Sequence, residues 1–179
     1  MFLVVMLMYT VLISKRGNKI EREANIMTIL TEQTLDKQNL ISFRKKLRAT
    51  ELQAHAEKML AYVEQCGAVK VGGGISATYA IEGDVMDVEM YLPLDMEIPS
   101  TEEFVYKPWL FLDNCIATTH KGNPQLLEST MLQMNEYIEE NGLTPISAGF
   151  IVTINEVTDM EDVDKFEVDV YISISPNVV

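Results

Sequence analysis

The amino-acid sequence predicts an α+β fold. Two β-α-β-β repeats are expected to form one mostly antiparallel sheet, with two helices on one face and a concave groove on the other. Three observations lead to this prediction: two amphipathic segments lie 75 positions apart, an apolar run precedes each of them, and two strand-like runs follow each of them. The composition is globular, with 47% apolar and 23% charged residues in a chain of 179.

Residues 1–26 form a separate N-terminal segment in this prediction. The apolar run at residues 2–13 is too short to span a bilayer as a helix, which takes about 20 residues. Basic residues follow the run, whereas a secretory signal has its positive charge before the run. Three interpretations stay open: a native start at Met27, a peripheral membrane anchor or partner-binding helix, and an ordinary core element.

Two helices are predicted at residues 51–65 and 125–140. Each has apolar residues at helical spacing on one face, and the two sets correspond position by position at the offset of 75. The faces consist of Leu52, Ala56, Met59 and Val63 in the first helix and Leu127, Met131, Met134 and Ile138 in the second. Thr50, with a glutamine three residues on, has the pattern of a capping box. Asn123, followed by proline, suits the start of the second helix.

Each predicted helix is followed by two strand-like runs joined by an acidic turn. The runs cover residues 74–81 and 85–94 in the first repeat and residues 148–157 and 166–175 in the second. The repeats extend over about residues 38–94 and 103–176, within a single domain at residues 27–179. Residues 95–114 are predicted to be a crossover with one additional strand.

The candidate site follows from the alternation along the last strand of each repeat. Glu89 and Tyr91 fall on the face away from the helix, and Asp169 and Tyr171 fall there 80 positions later. Aromatic rings with a partly desolvated carboxylate suit a ligand with a flat apolar body and a positive charge. Trp109, the sole tryptophan, is a candidate for the roof of the groove.

Two further readings of these acids remain open. A carboxylate beside apolar rings is expected to have a raised pKa, which would suit a general acid or base. The alternative is that all these residues are ordinary solvent-facing positions of a half-exposed sheet, since tyrosine is common in strands.

Three segments, in this order and spacing, resemble the GyrI-like family, also called the AraC effector-binding or bacterial-activator effector-binding domain, which is built from two SHS2 modules. The segments are residues 89–93 (EMYLP), 119–122 (THKG) and 137–143 (YIEENGL). The resemblance covers about residues 40–176. It implies that small, often cationic and amphipathic molecules bind in the groove between the modules.

The resemblance also assigns a role to single residues. A glutamate that contacts the ligand in the family corresponds to Asp169 here, and the following aromatic residue corresponds to Tyr171. Asp169 is shorter by one methylene than the family residue, whereas Glu89 in the first repeat keeps the longer acid. Many relatives carry a helix-turn-helix, which is not expected in this chain.

Charge and cysteine content disfavour several classes of function. The net charge is −13, and residues 27–179 alone carry −15, so the predicted domain repels phosphate backbones and no nucleic-acid partner is expected. The two cysteines form no zinc pattern, and no Ser/His/Asp or Cys/His pattern indicates covalent catalysis. No cofactor, metal site or catalytic residue is therefore predicted. A cytoplasmic location is expected, with membrane contact only through residues 1–26.

The predicted function is a stand-alone small-molecule (effector) binding protein that holds an amphipathic ligand, cationic ones included, in the groove between the repeats. One alternative is an interaction or inhibitor module for a basic protein partner, either gyrase-inhibitor-like or associated with a toxin or secretion component. The other is a hydrolase of reactive electrophilic small molecules, in which Glu89 or Asp169 activates water. The sequence favours a binding protein over an enzyme.

Overall fold

The computed structural model describes residues 27–157 and 160–176, and it confirms the α+β fold class. Within these residues, six strands and two α-helices follow one another. They are β1 (Leu30–Arg48), α1 (Ala49–Gln65), β2 (Ile75–Glu82), β3 (Val85–Pro93), β4 (Val105–Lys121), α2 (Leu127–Glu140), β5 (Phe150–Asn155) and β6 (Glu167–Ser173). Short 3₁₀ helices occupy Pro124–Leu126 and Met160–Lys165. The interpretations of residues 1–26 lie outside the described residues.

The six strands form one antiparallel sheet that closes on itself in the order β1-β3-β2-β5-β6-β4. The long strand β1 takes part in two pairings, with β3 along its C-terminal half and with β4 along its N-terminal half. β4 likewise pairs with β1 first and with β6 afterwards. Because the pairing of β1 with β4 joins the two ends of the strand order, the sheet becomes a barrel.

Both helices pack against the same face of the sheet, which we call the outer face. Two apolar clusters hold them there, each built from one helix and the strands beneath it. α1 contributes Leu52, Ala56, Met59 and Val63, and α2 contributes Leu127, Met134 and Ile138. Among the described residues, no helix is long and apolar enough to cross a membrane.

The opposite face, which we call the inner face, carries a third apolar cluster. Its buried members come from β1, β2, β3 and β5, and they are Leu35, Leu40, Ile75, Ala77, Tyr91, Phe150 and Val152. Tyr171 and Leu110 are among the half-buried residues that pack against this cluster. The concave side of the sheet therefore has its own packed centre.

The helix starts differ in part from the prediction. Asn123 caps the second helical segment as expected, because its side chain accepts a hydrogen bond from the backbone N–H of Gln125 at 2.9 Å. Thr50 does not cap α1, because it already lies within the helix. The helix begins at Ala49, directly after the last residue of β1. There the backbone N–H of Arg48 donates to Glu51 Oε2 at 2.8 Å. No loop separates β1 from α1, so the helix begins two residues before the predicted position 51.

The strands β1 and β4 are much longer than the apolar runs from which they were predicted. β1 has 19 residues and β4 has 17, so β4 merges the additional strand with the first strand of the second predicted repeat. Each contains an asparagine with positive φ, Asn39 at 51° and Asn114 at 48°, 75 positions apart. We call β1, α1, β2 and β3 the first half of the fold, and β4, α2, β5 and β6 the second half. In each half the asparagine carbonyl accepts a hydrogen bond from the backbone N–H of the residue after the last strand. Leu94 donates to Asn39, and Ile174 donates to Asn114.

Gly73, in the segment that precedes β2, lies against the backbone of Thr153 in β5. A Cβ atom at this position would lie 1.8 Å from the backbone oxygen of Thr153, whereas at Gly149 it would lie 2.8 Å from the flexible end of Met131. We predict that Gly73→Ala lowers the free energy of unfolding by at least about 1–3 kcal/mol, because the backbone of Thr153 or of residue 73 must move to make room for the added Cβ atom. Gly149→Ala, the matched control, should cost less. Urea unfolding measures both, and equal losses would contradict the prediction.

Candidate functional site

The candidate acids and tyrosines lie on the inner face, as the alternation predicts. In β3 the residues between them, such as Met90, pack under α1, and in β6 Val170 packs under α2. Tyr91 belongs to the inner-face cluster, and Tyr171 packs against it. The side chains of Glu89 and Asp169 share this face because they lie two residues from these tyrosines.

Strand pairing fixes where these residues lie relative to one another. Across β3, β2, β5 and β6, one row consists of Glu89, Ala77, Phe150 and Tyr171, and the next row consists of Tyr91, Ile75, Val152 and Asp169. The two acids are thus three strands apart around the barrel and one row apart along the strands. The protein's own apolar side chains fill the space between them. A ligand that contacts both acids would have to cross or displace this packing.

Glu89 is the best-enclosed acid of the site, with 5% of its surface exposed. Its carboxylate accepts hydrogen bonds from Lys107 Nζ through Oε1 and from the Tyr79 hydroxyl through Oε2, the latter at 3.0 Å. The Lys107 ammonium group also lies 5.1 Å from the centre of the Tyr91 ring. We call Glu89, Tyr79, Tyr91 and Lys107 the Glu89 cluster. It joins three strands, since Tyr79 is on β2 and Lys107 is on β4.

The electrostatics of Glu89 correct the expectation of a raised pKa. Burial alone would raise the pKa of this carboxyl, but hydrogen bonds from Lys107, Tyr91 and Tyr79 and the charge of Lys107 outweigh burial and hold the pKa below its ordinary value. Glu89 is therefore ionised at neutral pH and its lone pairs are engaged. Such a carboxylate is a good counter-charge and a weak general base.

A β-bulge aims Tyr79 at Glu89. The register between β2 and β3 shifts by one residue at Tyr79, and the register between β5 and β6 shifts at Ile154, which is 75 positions later. A bulge redirects the side chain of the extra residue. In the first half that side chain supplies a hydroxyl group to the acid, whereas in the second half it is an exposed isoleucine.

Arg44 of β1 supports Tyr79 from the other side. Its guanidinium group lies 3.7 Å from the centre of the Tyr79 ring, and it forms two hydrogen bonds of 3.0 Å to Asp87. The hydrogen bond from Arg44 lowers the pKa of the Asp87 carboxyl, so this pair stays charged at neutral pH. The cation–π contact and the ion pair together restrict the Tyr79 ring.

Tyr91 supplies an apolar wall to the cluster. It is 2% exposed, and its ring centroid lies 6.2 Å from that of Phe150. Burial, reinforced by hydrogen bonding with Tyr79 and Glu89, raises the pKa of its phenol above the ordinary value. The phenol is therefore neutral at every pH at which the protein would be assayed.

Asp169 has a different environment from Glu89. Its Oδ1 accepts a hydrogen bond of 2.6 Å from the Thr119 hydroxyl, and within residues 27–157 and 160–176 it forms no ion pair. Tyr171 beside it is half-buried, and burial raises the pKa of its phenol. The two candidate acid–tyrosine pairs thus share a face but differ in their partners.

Trp109 lies in the part of β4 that pairs with β1, opposite Gln38. It is 56% exposed, its indole N–H donates to Asp36 Oδ1 at 2.6 Å, and its ring centroid lies 4.9 Å from that of Phe111. Leu110, the next residue of β4, packs against the inner-face cluster, and neighbouring side chains of a strand point to opposite faces, so the Trp109 ring lies on the other side of β4. Among the residues that the structure describes, the polar and ring contacts of Trp109 are thus to Asp36 and Phe111, and none is to the Glu89 cluster.

Two polar residues that a catalytic site could use have structural roles. His120 is buried, accepts a hydrogen bond from the Thr130 hydroxyl through Nδ1 at 2.8 Å and donates through Nε2 to the carbonyl of Asn123 at 3.1 Å. Burial lowers its pKa, so the ring is neutral at pH 7. Burial likewise raises the pKa of the Cys115 thiol. Within the described part of the chain, no three His, Cys, Asp or Glu side chains are grouped as a metal ion would require.

The sequence matches no protein-family model and no curated protein, but the fold is similar to solved structures. The EcmrR chain of a cryo-EM EcmrR–DNA complex is 11% identical with a TM-score of 0.70, and the match covers 97% of this chain and 65% of that one. The crystal structure of the EcmrR C-terminal domain is 11% identical, with a TM-score of 0.64 and coverage of 84% and 98%.

An uncharacterized conserved protein from Listeria innocua is also similar in fold. It is 10% identical, with a TM-score of 0.62, over 83% of this chain and 92% of that chain. At such identities the likeness establishes a shared fold and nothing beyond it. The fold is thus similar to that of the EcmrR C-terminal domain over nearly the whole of that domain, whereas the match spans about two thirds of the longer EcmrR chain.

Glu89→Gln is predicted to lower the free energy of unfolding by about 1–3 kcal/mol at pH 7, because the Lys107 ammonium and two tyrosine hydroxyls lose a charged partner. The folded-state pKa of Glu89 lies below its ordinary value of 4.5. Its stabilising contribution is therefore complete above the ordinary pKa and is lost as the pH falls through the folded-state pKa. Wild type and variant should converge in stability on acidification, which urea unfolding at a series of pH values measures.

Asp169→Asn is the matched control for this measurement. The Thr119 hydroxyl can still donate to the amide oxygen, so we expect a change within about 0.5 kcal/mol at pH 7. A stability difference between Glu89→Gln and wild type that is independent of pH would contradict the assignment of an ionised, hydrogen-bonded Glu89.

Proposed function

We propose that this chain is a small-molecule binding protein that holds an amphipathic ligand at the inner face, against Glu89 and Tyr91. The observation that carries the proposal is a buried, ionised carboxylate enclosed by two tyrosines and one lysine. Burying a charge costs free energy unless partners compensate for it, so a fold that needed only a packed barrel would not gain from this acid. A ligand that carries a donor or a positive group gains from it.

The surroundings of Glu89 favour a ligand with an apolar body. The Tyr91 ring lies beside the acid and packs against the Phe150 ring, and rings of this kind bind flat apolar groups and attract cations. On the second half of the face, Asp169 and Tyr171 form a more open pair, which we propose as the contact for the far end of a ligand that displaces the apolar side chains between the two acids. Trp109 is proposed to contact the part of the ligand that extends past β4.

Access to the cluster is through its exposed members. Glu89 and Tyr91 are buried, whereas the side chain of Lys107 is 35% exposed and Tyr79 is 38% exposed. Moving the Lys107 side chain uncovers the carboxylate without disturbing the strands, because lysine has a flexible four-carbon stem. A ligand therefore reaches Glu89 from the side where Lys107 lies.

The structure weighs against the hydrolase alternative for Glu89. A carboxylate that activates water works best with a pKa near the working pH, and the pKa of Glu89 is shifted the other way. The fold shared with the EcmrR C-terminal domain is compatible with a binding role, in which this chain would act as an effector module. Under this proposal the ligand is held, and it leaves chemically unchanged.

A thermal-shift screen with neutral and cationic aromatic amphiphiles tests the proposed function. We predict that a compound which raises the melting temperature of the wild type binds the double variant Glu89→Gln, Asp169→Asn about tenfold more weakly or worse, because both acidic contacts are lost. Affinities are measured by calorimetric titration of the compounds that pass the screen.

The control has the same change in net charge at two acids away from the inner face. Asp84, which pairs with Arg48, and Glu103, which pairs with Lys45, are suitable positions. Asp84→Asn, Glu103→Gln should bind as the wild type does. If the two double variants weaken binding equally, the compounds respond to overall charge, and the proposed site is wrong.

A further inference from the structure

We infer that Lys107 acts as an internal competitor that occupies the cation position of the ligand site, so that a cationic ligand binds only by replacing its ammonium group. This inference rests on the proposed function and adds to it the charge that the site selects. It makes Lys107 a specificity-determining residue, in addition to the residues that contact the ligand.

The geometry of Lys107 carries the inference. Its ammonium group is bonded to the carboxylate of Glu89 and lies 5.1 Å from the centre of the Tyr91 ring. An acid on one side and a ring face within about 6 Å on another are the two contacts by which proteins hold an organic cation. A cationic ligand and Lys107 would therefore use the same contacts, and both cannot occupy them at once.

The side chain of Lys107 is also placed so that its ammonium group can move away from Glu89. It comes from β4, whereas Glu89 and Tyr91 are on β3, so its withdrawal breaks no pairing between β3 and its neighbours. Its side chain is far more exposed than that of Glu89. The ammonium group can thus exchange the carboxylate for water, while Glu89 stays buried and then requires another positive partner.

The sequence offers Asp169, the acid of the second half, no lysine at the position that corresponds to Lys107. At the position 75 residues before Lys107 the sequence has Glu32, which cannot neutralise an acid, and Asp169 is bonded to a threonine hydroxyl. A lysine that pairs with the acid is therefore present in the first half of the sheet and absent at the corresponding position of the second. Competition by Lys107 is expected at Glu89 and not at Asp169.

The test uses two probes of the same shape and different charge, phenyltrimethylammonium and tert-butylbenzene. If Lys107 occupies the position in most molecules, apparent affinity for the cation is reduced by the fraction that remains free. We predict that Lys107→Met binds phenyltrimethylammonium about tenfold more tightly than the wild type, and that Lys107→Arg binds it no more tightly. Affinity for tert-butylbenzene should rise much less in Lys107→Met, because the neutral probe gains nothing from the charge of the freed carboxylate.

Two further measurements make the result specific to the Glu89 cluster. The gain should vanish in Glu89→Gln, Lys107→Met, because the acid that attracts the cation is gone. Binding of both probes is measured by calorimetric titration, and the fluorescence of Trp109, the sole tryptophan, is recorded alongside it. Circular dichroism establishes that each variant is folded, and Lys107→Gln replaces Lys107→Met should the latter fail to fold.

The outcomes separate this inference from the proposed function. If compounds bind the wild type and lose affinity in Glu89→Gln, but neither Lys107→Met nor Lys107→Gln gains affinity for the cation, the competitor role is overturned and the binding site stands. If no variant binds either probe and the amphiphile screen is also negative, both are overturned. An equal gain for the charged and the neutral probe would show that lysine only blocks space, and it too would overturn the inference.

Discussion

The pairing of β1 with β4 closes the sheet and thereby limits the space available on the inner face. Without it the sheet would be an open, curved surface with unpaired strands at both edges. With it, six strands form a barrel, and a barrel of eight strands already has an interior only wide enough for side chains. Side chains must therefore fill the middle of the inner face, and any charge placed there needs a partner from the barrel itself. Glu89 has such partners, and this requirement explains why a lysine from another strand reaches it.

Much of the fold could be predicted from the sequence because its signals are local. The apolar stripes of α1 and α2 and the alternation along β3 and β6 are patterns of period 3.6 and 2, and they need no knowledge of distant contacts. The long strands β1 and β4 were underestimated for a physical reason. Much of the first half of β1 is exposed and polar, so its residues lack the apolar alternation that reveals a strand. Positive φ at Asn39 and Asn114 interrupts the period of two as well.

The candidate site was predicted less completely than the fold. The side chains that alternate on β3 and β6 could be assigned to a face, but Tyr79 and Lys107 were missed. Counting residues back from the turn after β2 would place Thr78 opposite Glu89, and the bulge at Tyr79 places Ala77 there instead. Lys107 depends on the closure of the barrel, which brings residues of distant strands together. Neither a bulge nor a closure leaves a local signal that a reading of the sequence could use.

The two halves of the sheet show how a repeated backbone can carry different chemistry. Both have a bulge at the same position of the middle strand, an acid at the same position of the last strand and a tyrosine two residues on. In the first half the bulged residue is a tyrosine and the acid is buried among donors, so its charge is fixed and its pKa is lowered. In the second half the bulged residue is an isoleucine, and a threonine hydroxyl bonds the shorter acid. The shared backbone places the acids, and the residues around each acid decide whether it holds a charge in place or remains open to a new partner.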